Sequence, residues 1–109
     1  MANTFKLKTK ANVGVTTVGI YTAPAATTTV VIGITLANTS GSGVNVGVGI
    51  TRAGTTEDVK LLKNAPIPQG SSLEFMGGNK VVLEATETVT VDSDTNNSVD
   101  ADLTIMEIT

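Results

Sequence analysis

Apolar and polar residues alternate with a period of two along most of the chain. In 28–38, Val30, Ile32, Ile34 and Leu36 fall on one face, and Val31, Gly33, Thr35 and Ala37 on the other. In 44–52, Val44, Val46, Val48 and Ile50 face one way, and Asn45, Gly47, Gly49 and Thr51 the other. Strict alternation marks half-buried strands. Asn38-Thr39-Ser40-Gly41-Ser42-Gly43 is turn chemistry, so 28–52 predicts an antiparallel hairpin. Residues 12–22 predict another strand (Val13, Val15, Val18, Ile20), with a phase break at Thr16-Thr17 of the kind a bulge makes. Ala23-Pro24-Ala25-Ala26 ends it.

The same signals continue downstream. Residues 58–63 predict a short strand, and Glu57 to Lys63 is the one segment where a helix competes. Ala65-Pro66-Ile67-Pro68-Gln69-Gly70 reads as a corner, because proline cannot donate to a ladder. Residues 71–76 are expected to pair with 80–84 across Gly77-Gly78-Asn79. Strands over 88–92 and 99–108, joined by Asp92 to Ser98, close the domain. The pattern as a whole predicts an all-β fold, a single antiparallel two-sheet sandwich of jelly-roll or Ig-like type with seven to eight short strands. The expected core includes Ile32, Ile34, Val46, Val48, Leu73, Leu83, Val89, Leu103 and Ile105. Residues 1–10 read as an N-terminal extended arm or edge strand, and 11–109 as the sandwich.

Composition sharpens this picture. The 109 residues include 19 Thr, 14 Val and 7 Ile, and such β-branched side chains favour strands over helices. There is no Cys and no His, which removes disulfides, thiolate nucleophiles, imidazole acid–base chemistry and the usual zinc ligands. An acidic net charge of −3 argues against general nucleic-acid binding. No apolar run is long enough to span a membrane, and Met1-Ala2-Asn3-Thr4-Phe5-Lys6 does not open like a signal peptide.

Charge is placed unevenly. Lys6, Lys8 and Lys10 stand near the start, residues 11–51 carry no charged side chain, and residues 81–109 carry seven acids and no base. The neutral stretch suggests strand faces covered by something. The alternation of the three lysines suggests a basic face. It serves either to dock on an acidic surface or to guard an edge strand against aggregation. An acidic C-terminal segment, with Asp100 and Asp102 at the same period, is its expected partner, in the same chain or by exchange with a neighbouring copy.

Candidate chemistry is sparse. Asp92-x-Asp94-x-Asn96 with Asp100 opens like a calcium loop, but Asn97 and Leu103 stand where that loop needs Gly and Glu, so the segment reads as a solvated hairpin loop. Gly41-Ser42-Gly43 and Gly47-x-Gly49 lack the helix and lysine of a phosphate cradle. Asn38-Thr39-Ser40 and Asn96-Asn97-Ser98 are glycosylation-type triplets without a secretory context. Carboxylate catalysis on a sugar would want aromatic platforms, and Phe5, Tyr21 and Phe75 are all there are. The expectation is a non-enzymatic protein with no catalytic, cofactor or metal residues.

Several segments together resemble a known group. They are Ile20-Tyr21-Thr22-Ala23-Pro24-Ala25, Val30 to Asn38, Leu61 to Glu74 with its proline corner and Gly-Ser-Ser-Leu-Glu, Lys80 to Ala85, and Leu103 to Thr109. The chain resembles the small β-sandwich virion structural proteins of tailed bacteriophages. It departs after Leu83-Glu84-Ala85, where Thr86-Glu87 replaces an expected Gly-Asp turn. The resemblance implies a virion protein that decorates the capsid exterior, or alternatively a neck, tail or fibre-attachment component. It implies homo-oligomers, with the major capsid protein or neck and tail proteins as partners, assembly in the host cytoplasm, and no cofactor. A carbohydrate- or receptor-binding sandwich is the remaining alternative.

Overall fold

The β-branched segments form nine strands among residues 3–75 and 80–109, the part of the chain that the computed structural model describes. They are β1 (Asn3–Val13), β2 (Val18–Thr22), β3 (Thr28–Asn38), β4 (Val44–Thr51), β5 (Asp58–Ile67), β6 (Ser72–Phe75), β7 (Val81–Leu83), β8 (Thr88–Ser93) and β9 (Val99–Ile108). The segment Glu57 to Lys63, where a helix competed, enters β5 because it pairs with β4 from Asp58 onward.

The pairings nest. β4 pairs with β5, β3 with β6 and β7, β2 with β8, and β1 with β9, all antiparallel. The chain is therefore one long hairpin, folded between β4 and β5 and rolled up, with β3–β9 and β4–β8 ladders closing the seams. The result is two sheets: β1-β9-β3 with β6 and β7 sharing the next lane, and β2-β8-β4-β5. This is the eight-lane jelly roll rather than the immunoglobulin order.

Three expected local pairings give way to this roll. Residues 28–52 are not a hairpin, because β3 and β4 lie in different sheets. A period of two says which face is buried but not which strand lies alongside. Asn38 anchors that crossing: its side-chain amide donates to the carbonyls of Ser42 at 2.8 Å and Ile67 at 3.0 Å. The break at Thr16-Thr17 is likewise a passage between sheets, from β1 to β2, rather than a bulge in one strand. Asp92 to Ser98 is an arch from β8 to β9, not a hairpin loop. β6 and β7 do not pair with each other but line up end to end along β3, and the expected Gly77-Gly78-Asn79 turn lies outside the described residues.

The core is Val, Ile and Leu. Val31, Ile34, Leu36, Val46, Val48, Leu83, Val89, Leu103 and Ile105 are fully buried between the sheets. Ile32 was expected among them and is only partly buried. Val31 pairs with Ile105 and Gly33 with Thr104, so Ile32 is an extra residue in its strand, and the inward phase moves from Val31 to Ile34. Leu73 is partly buried and packs against the core from β6.

Position accounts for the two longest strands of the charge-free stretch. β3 lies between β9 and the β6/β7 lane, and β4 between β8 and β5, so both are central strands. The outer side of β4 is roofed by the chain itself: a Cβ on Gly47 would lie 2.6 Å from Asp92 Oδ1, and one on Gly49 would run into the Asp58 carboxylate.

Candidate functional site

Two buried carboxylates tie the roll together. On β9, Leu103, Ile105 and Glu107 share the inward phase, which brings a carboxylate into the core. Glu107 accepts from the Tyr21 hydroxyl on β2 at 2.6 Å and from Lys6 Nζ on β1 at 2.9 Å. The Tyr21 oxygen also lies 2.7 Å from Thr29 Oγ1 on β3. The hydrogen bond from Tyr21, joined by Lys6, holds the Glu107 carboxyl below the ordinary carboxylate range, against the cost of burial. Burial first, and then the Glu107 carboxylate, push the Tyr21 phenol up to about 12.

The second carboxylate, Glu87, lies at the other turn region. It accepts from Arg52 Nε, from Ala53 N at 3.2 Å and from Glu84 N at 2.9 Å. Burial alone would raise its pKa, but the Arg52 guanidinium and the two backbone donors win, and the group is held low. Arg52 also bonds Glu84 through Nη2 at 2.8 Å. This pin clamps the β4–β5 turn to the β7–β8 turn. It occupies the place where the resemblance expected Gly-Asp: Glu87 supplies the carboxylate, and Thr86 takes the left-handed backbone, φ 71°, that glycine would adopt freely.

The lysine alternation lies on β1, where Lys6, Lys8 and Lys10 sit opposite Ile105, Leu103 and Ala101 and share the inward side of the edge strand. Lys8 stands 5.9 Å from the Tyr21 ring centre. The acidic C-terminal strand is β1's ladder partner in the same chain. The ion pair runs to Glu107, however, while Asp102 sits opposite Thr9 and Asp100 Oδ1 accepts from Asn12 N at 3.0 Å.

The oxygens of the calcium-like segment are not brought together. Asp92 Oδ2 accepts from Thr17, Asp94 Oδ1 from Asn45 N, and Asn96 Oδ1 from Val15 N, each a different segment. The arch is held by its serines: Ser93 Oγ and Ser98 Oγ are 2.6 Å apart and buried, and Ser98 Oγ donates to Thr95 O at 2.6 Å. Ser93 N and Ser98 N donate to Gly14 O and Val13 O, so the arch seals the β1–β2 passage. Gly47 and Gly49 form a floor. Above it, Asp58 accepts from Thr90 at 3.0 Å and Lys60 at 2.9 Å, and Lys60 stands 4.0 Å from Asp92. These acids are engaged with neighbours on the protein.

The ladder registers also build a surface that the alternation did not single out. Across the outer face of the first sheet, Phe5 pairs with Met106, Met106 with Val30, and Val30 with Val82. This is one continuous apolar row over four lanes, with Phe5 69% and Val82 57% exposed at its two ends. Leu7, two residues along β1, is 64% exposed beside it. Two registers further along, the row is Thr9, Asp102, Thr35 and Glu74. Cross-strand register, which needs the fold, makes these rows. Glu107 had a visible signal, a carboxylate on the apolar phase of its strand.

Among solved structures, the chain is similar to one from the endospore appendages of Bacillus, a family of disulfide-linked pili, at TM-score 0.60 and 15% identity, covering 99% of this chain and 87% of that one. It is similar to a chain of the acid-stable capsid of Helicobacter pylori bacteriophage KHP30, at TM-score 0.58 and 11% identity, covering 98% and 87%. A chain of the cyanophage Pam1 capsid asymmetric unit aligns at TM-score 0.41 and 11% identity, covering 96% and 84%. No protein-family model and no curated protein sequence matches. At these identities the likeness is one of fold: this chain is a two-sheet β-sandwich of a kind found in both a phage capsid and a bacterial pilus.

Proposed function

We propose that this protein is a non-enzymatic structural component of a tailed-phage virion that binds the capsid exterior as a decoration protein. The observation that carries the reading is the exposed Phe5–Met106–Val30–Val82 row on the outer face of the first sheet. Contiguous exposed apolar surface marks a contact site. Three of the four edge lanes of the two sheets discourage strand addition: β1 points its lysines inward, β2 has five residues, and β5 carries Lys60, Lys63 and Pro66. Association is then face-on, through side chains, as suits a coat.

The shared fold with the KHP30 capsid chain and the resemblance of the sequence to phage virion proteins support the same reading. The engagement of Glu87, Glu107, Asp58 and Asp92 in structural contacts supports a non-enzymatic role. A sugar-binding role has less support, because Tyr21 is buried with its hydroxyl committed to Glu107. The partners are other copies of the chain and the major capsid protein, with no nucleic acid and no membrane, and the location is the virion.

A quantitative gel of purified particles tests this. A copy number comparable to that of the major capsid protein is expected. A number sufficient only for one ring moves the protein to the neck, tail or fibre base, and absence from particles overturns the reading.

A further inference from the structure

We infer that the outer face of the β1-β9-β3-β6/β7 sheet binds a second copy of this chain about a two-fold axis parallel to its strands. The inference goes beyond the virion reading: it assigns the apolar row to the contact between copies, and the dimer then meets the capsid through its remaining surface. An open sheet face with an apolar row is well covered by another sheet face, about 10 Å away and roughly aligned. With lanes at about 4.8 Å and about 3.3 Å per residue, the eleven residues of β1, ten of β9, eleven of β3, four of β6 and three of β7 give a face of about 600 Å². That is the lower end of what each partner contributes to a standard interface, roughly 600–1,000 Å².

Self-complementarity selects the partner. A two-fold axis along the strands reverses the lane order of the second copy while keeping each row opposite itself. In the apolar row, Phe5 then lies over Val82 of the other copy and Met106 over Val30, so large side chains meet small ones. In the polar row, Asp102 lies over Thr35 and Glu74 over Thr9, so each carboxylate meets a hydroxyl that can donate to it. Asp100, paired with Ala37 in the next row, lies over Ala37. No acid on these rows faces an acid. A two-fold axis across the strands at the apolar row would instead stack Phe5 on Phe5.

Cysteine cross-linking reads this arrangement directly, because the chain has no cysteine of its own. Within one chain Phe5 and Val82 are three lanes apart, about 14 Å, whereas across the interface they are one sheet spacing apart, about 10 Å, beyond the roughly 7 Å of a disulfide but within reach of a short bis-maleimide. The full-length F5C, V82C and F5C/V82C variants are treated with that reagent at micromolar concentration and run on a denaturing gel, beside sedimentation of the unmodified protein. The expected result is twice the chain mass in solution, a covalent dimer from F5C/V82C and from F5C mixed with V82C, and no cross-link from either single variant alone. Phe5→Glu should weaken association by about tenfold or more, with an unchanged β-sheet circular dichroism spectrum, because it sets a charge against apolar surface. A single chain mass at every concentration overturns the inference, as does F5C cross-linking to itself. A dimer in solution with particles that lack the protein would sink the virion reading and leave this one standing.

Discussion

The hydroxyl of Tyr21 donates a 2.6 Å hydrogen bond to Glu107, and that bond joins the two sheets of the roll through the core. Tyr21 belongs to the β2-β8-β4-β5 sheet and Glu107 to the other, so the pair is a rivet between layers. Lys6 closes it from the edge strand. A charge in the core of a small sandwich is costly unless it is paired and hydrogen-bonded, and here each carboxylate oxygen has a donor, Tyr21 on Oε2 and Lys6 on Oε1.

This pair sets both ends of the pH range of stability. The Glu107 carboxyl is held low in the folded protein, so its contribution is complete above the ordinary value of about 4.3 and is lost as pH falls through the folded value. Glu87 behaves the same way. The Tyr21 phenol is raised to about 12, so its contribution is complete below the ordinary value of about 10 and is lost as pH rises through 12. Tyr21 is the chain's one tyrosine and there is no Trp, so phenolate absorbance reads it alone. The expected titration midpoint is near 12 in the folded protein and near 10 in denaturant. A folded midpoint near 10 would show that the rivet is open in solution. Tyr21→Phe, which leaves Glu107 one donor short, should cost about 1–3 kcal/mol.

The inward phase of β3 can be tested where sequence and structure part. Ile34 is 1% exposed, whereas Ile32 stands at the bulge. Ile34→Ala should cost about 2–5 kcal/mol in a denaturant titration, and Ile32→Ala clearly less. Equal costs would place both side chains in the core and contradict the bulge.

The same strand shows what was legible. Alternation identified β3 and β4 as strands and assigned Val46, Val48, Leu103 and Ile105 to the core, because a period of two fixes faces directly, but it read β4 as half-buried where Gly47 and Gly49 on its other face are buried as well. It missed the shift at Ile32, since one inserted residue changes the phase without changing composition. It joined β3 to β4, since turn-type residues such as Ser40-Gly41-Ser42-Gly43 serve an arch between sheets as well as a hairpin. The acidic C-terminal strand was recognised as partner of the lysine strand, but the paired acid is Glu107, which register selects. The apolar row on the outer face draws single residues from β1, β9, β3 and β7, and no local window contains it.

Thr86 carries strain that a single change should release. Its φ of 71° lies in the left-handed region, which a β-branched residue enters at a cost. Its backbone N donates to Ala23 O at 2.9 Å, so the turn cannot relax without breaking that tie. Thr86→Gly keeps the hydrogen bond and removes the Cβ. The expected gain is on the order of 1 kcal/mol, partly offset by the greater freedom of glycine in the unfolded chain. A thermal midpoint that falls on this substitution would show that the threonine side chain contributes contacts outweighing its strain.

The glycine floor under the Asp58–Lys60–Asp92 group predicts opposite outcomes for two glycines in central strands. A Cβ on Gly49 would collide with the Asp58 carboxylate and approach the backbone oxygen of Val59 to 3.0 Å. Asp58 cannot swing clear without giving up its bonds from Thr90 and Lys60, and a backbone oxygen does not move aside as a flexible side chain does. Gly33, on β3, has nothing within 4 Å of an added Cβ and no left-handed φ. Gly49→Ala should therefore destabilise the protein by about 1–3 kcal/mol, the usual cost of overpacking. Gly33→Ala should leave stability unchanged or raise it by about 0.5–1 kcal/mol, since alanine loses less backbone freedom on folding. Denaturant midpoints of the two variants, measured side by side, decide the matter. If Gly49→Ala is neutral, Asp58 does not rest on that glycine, and the roof over β4 is looser than its hydrogen bonds imply.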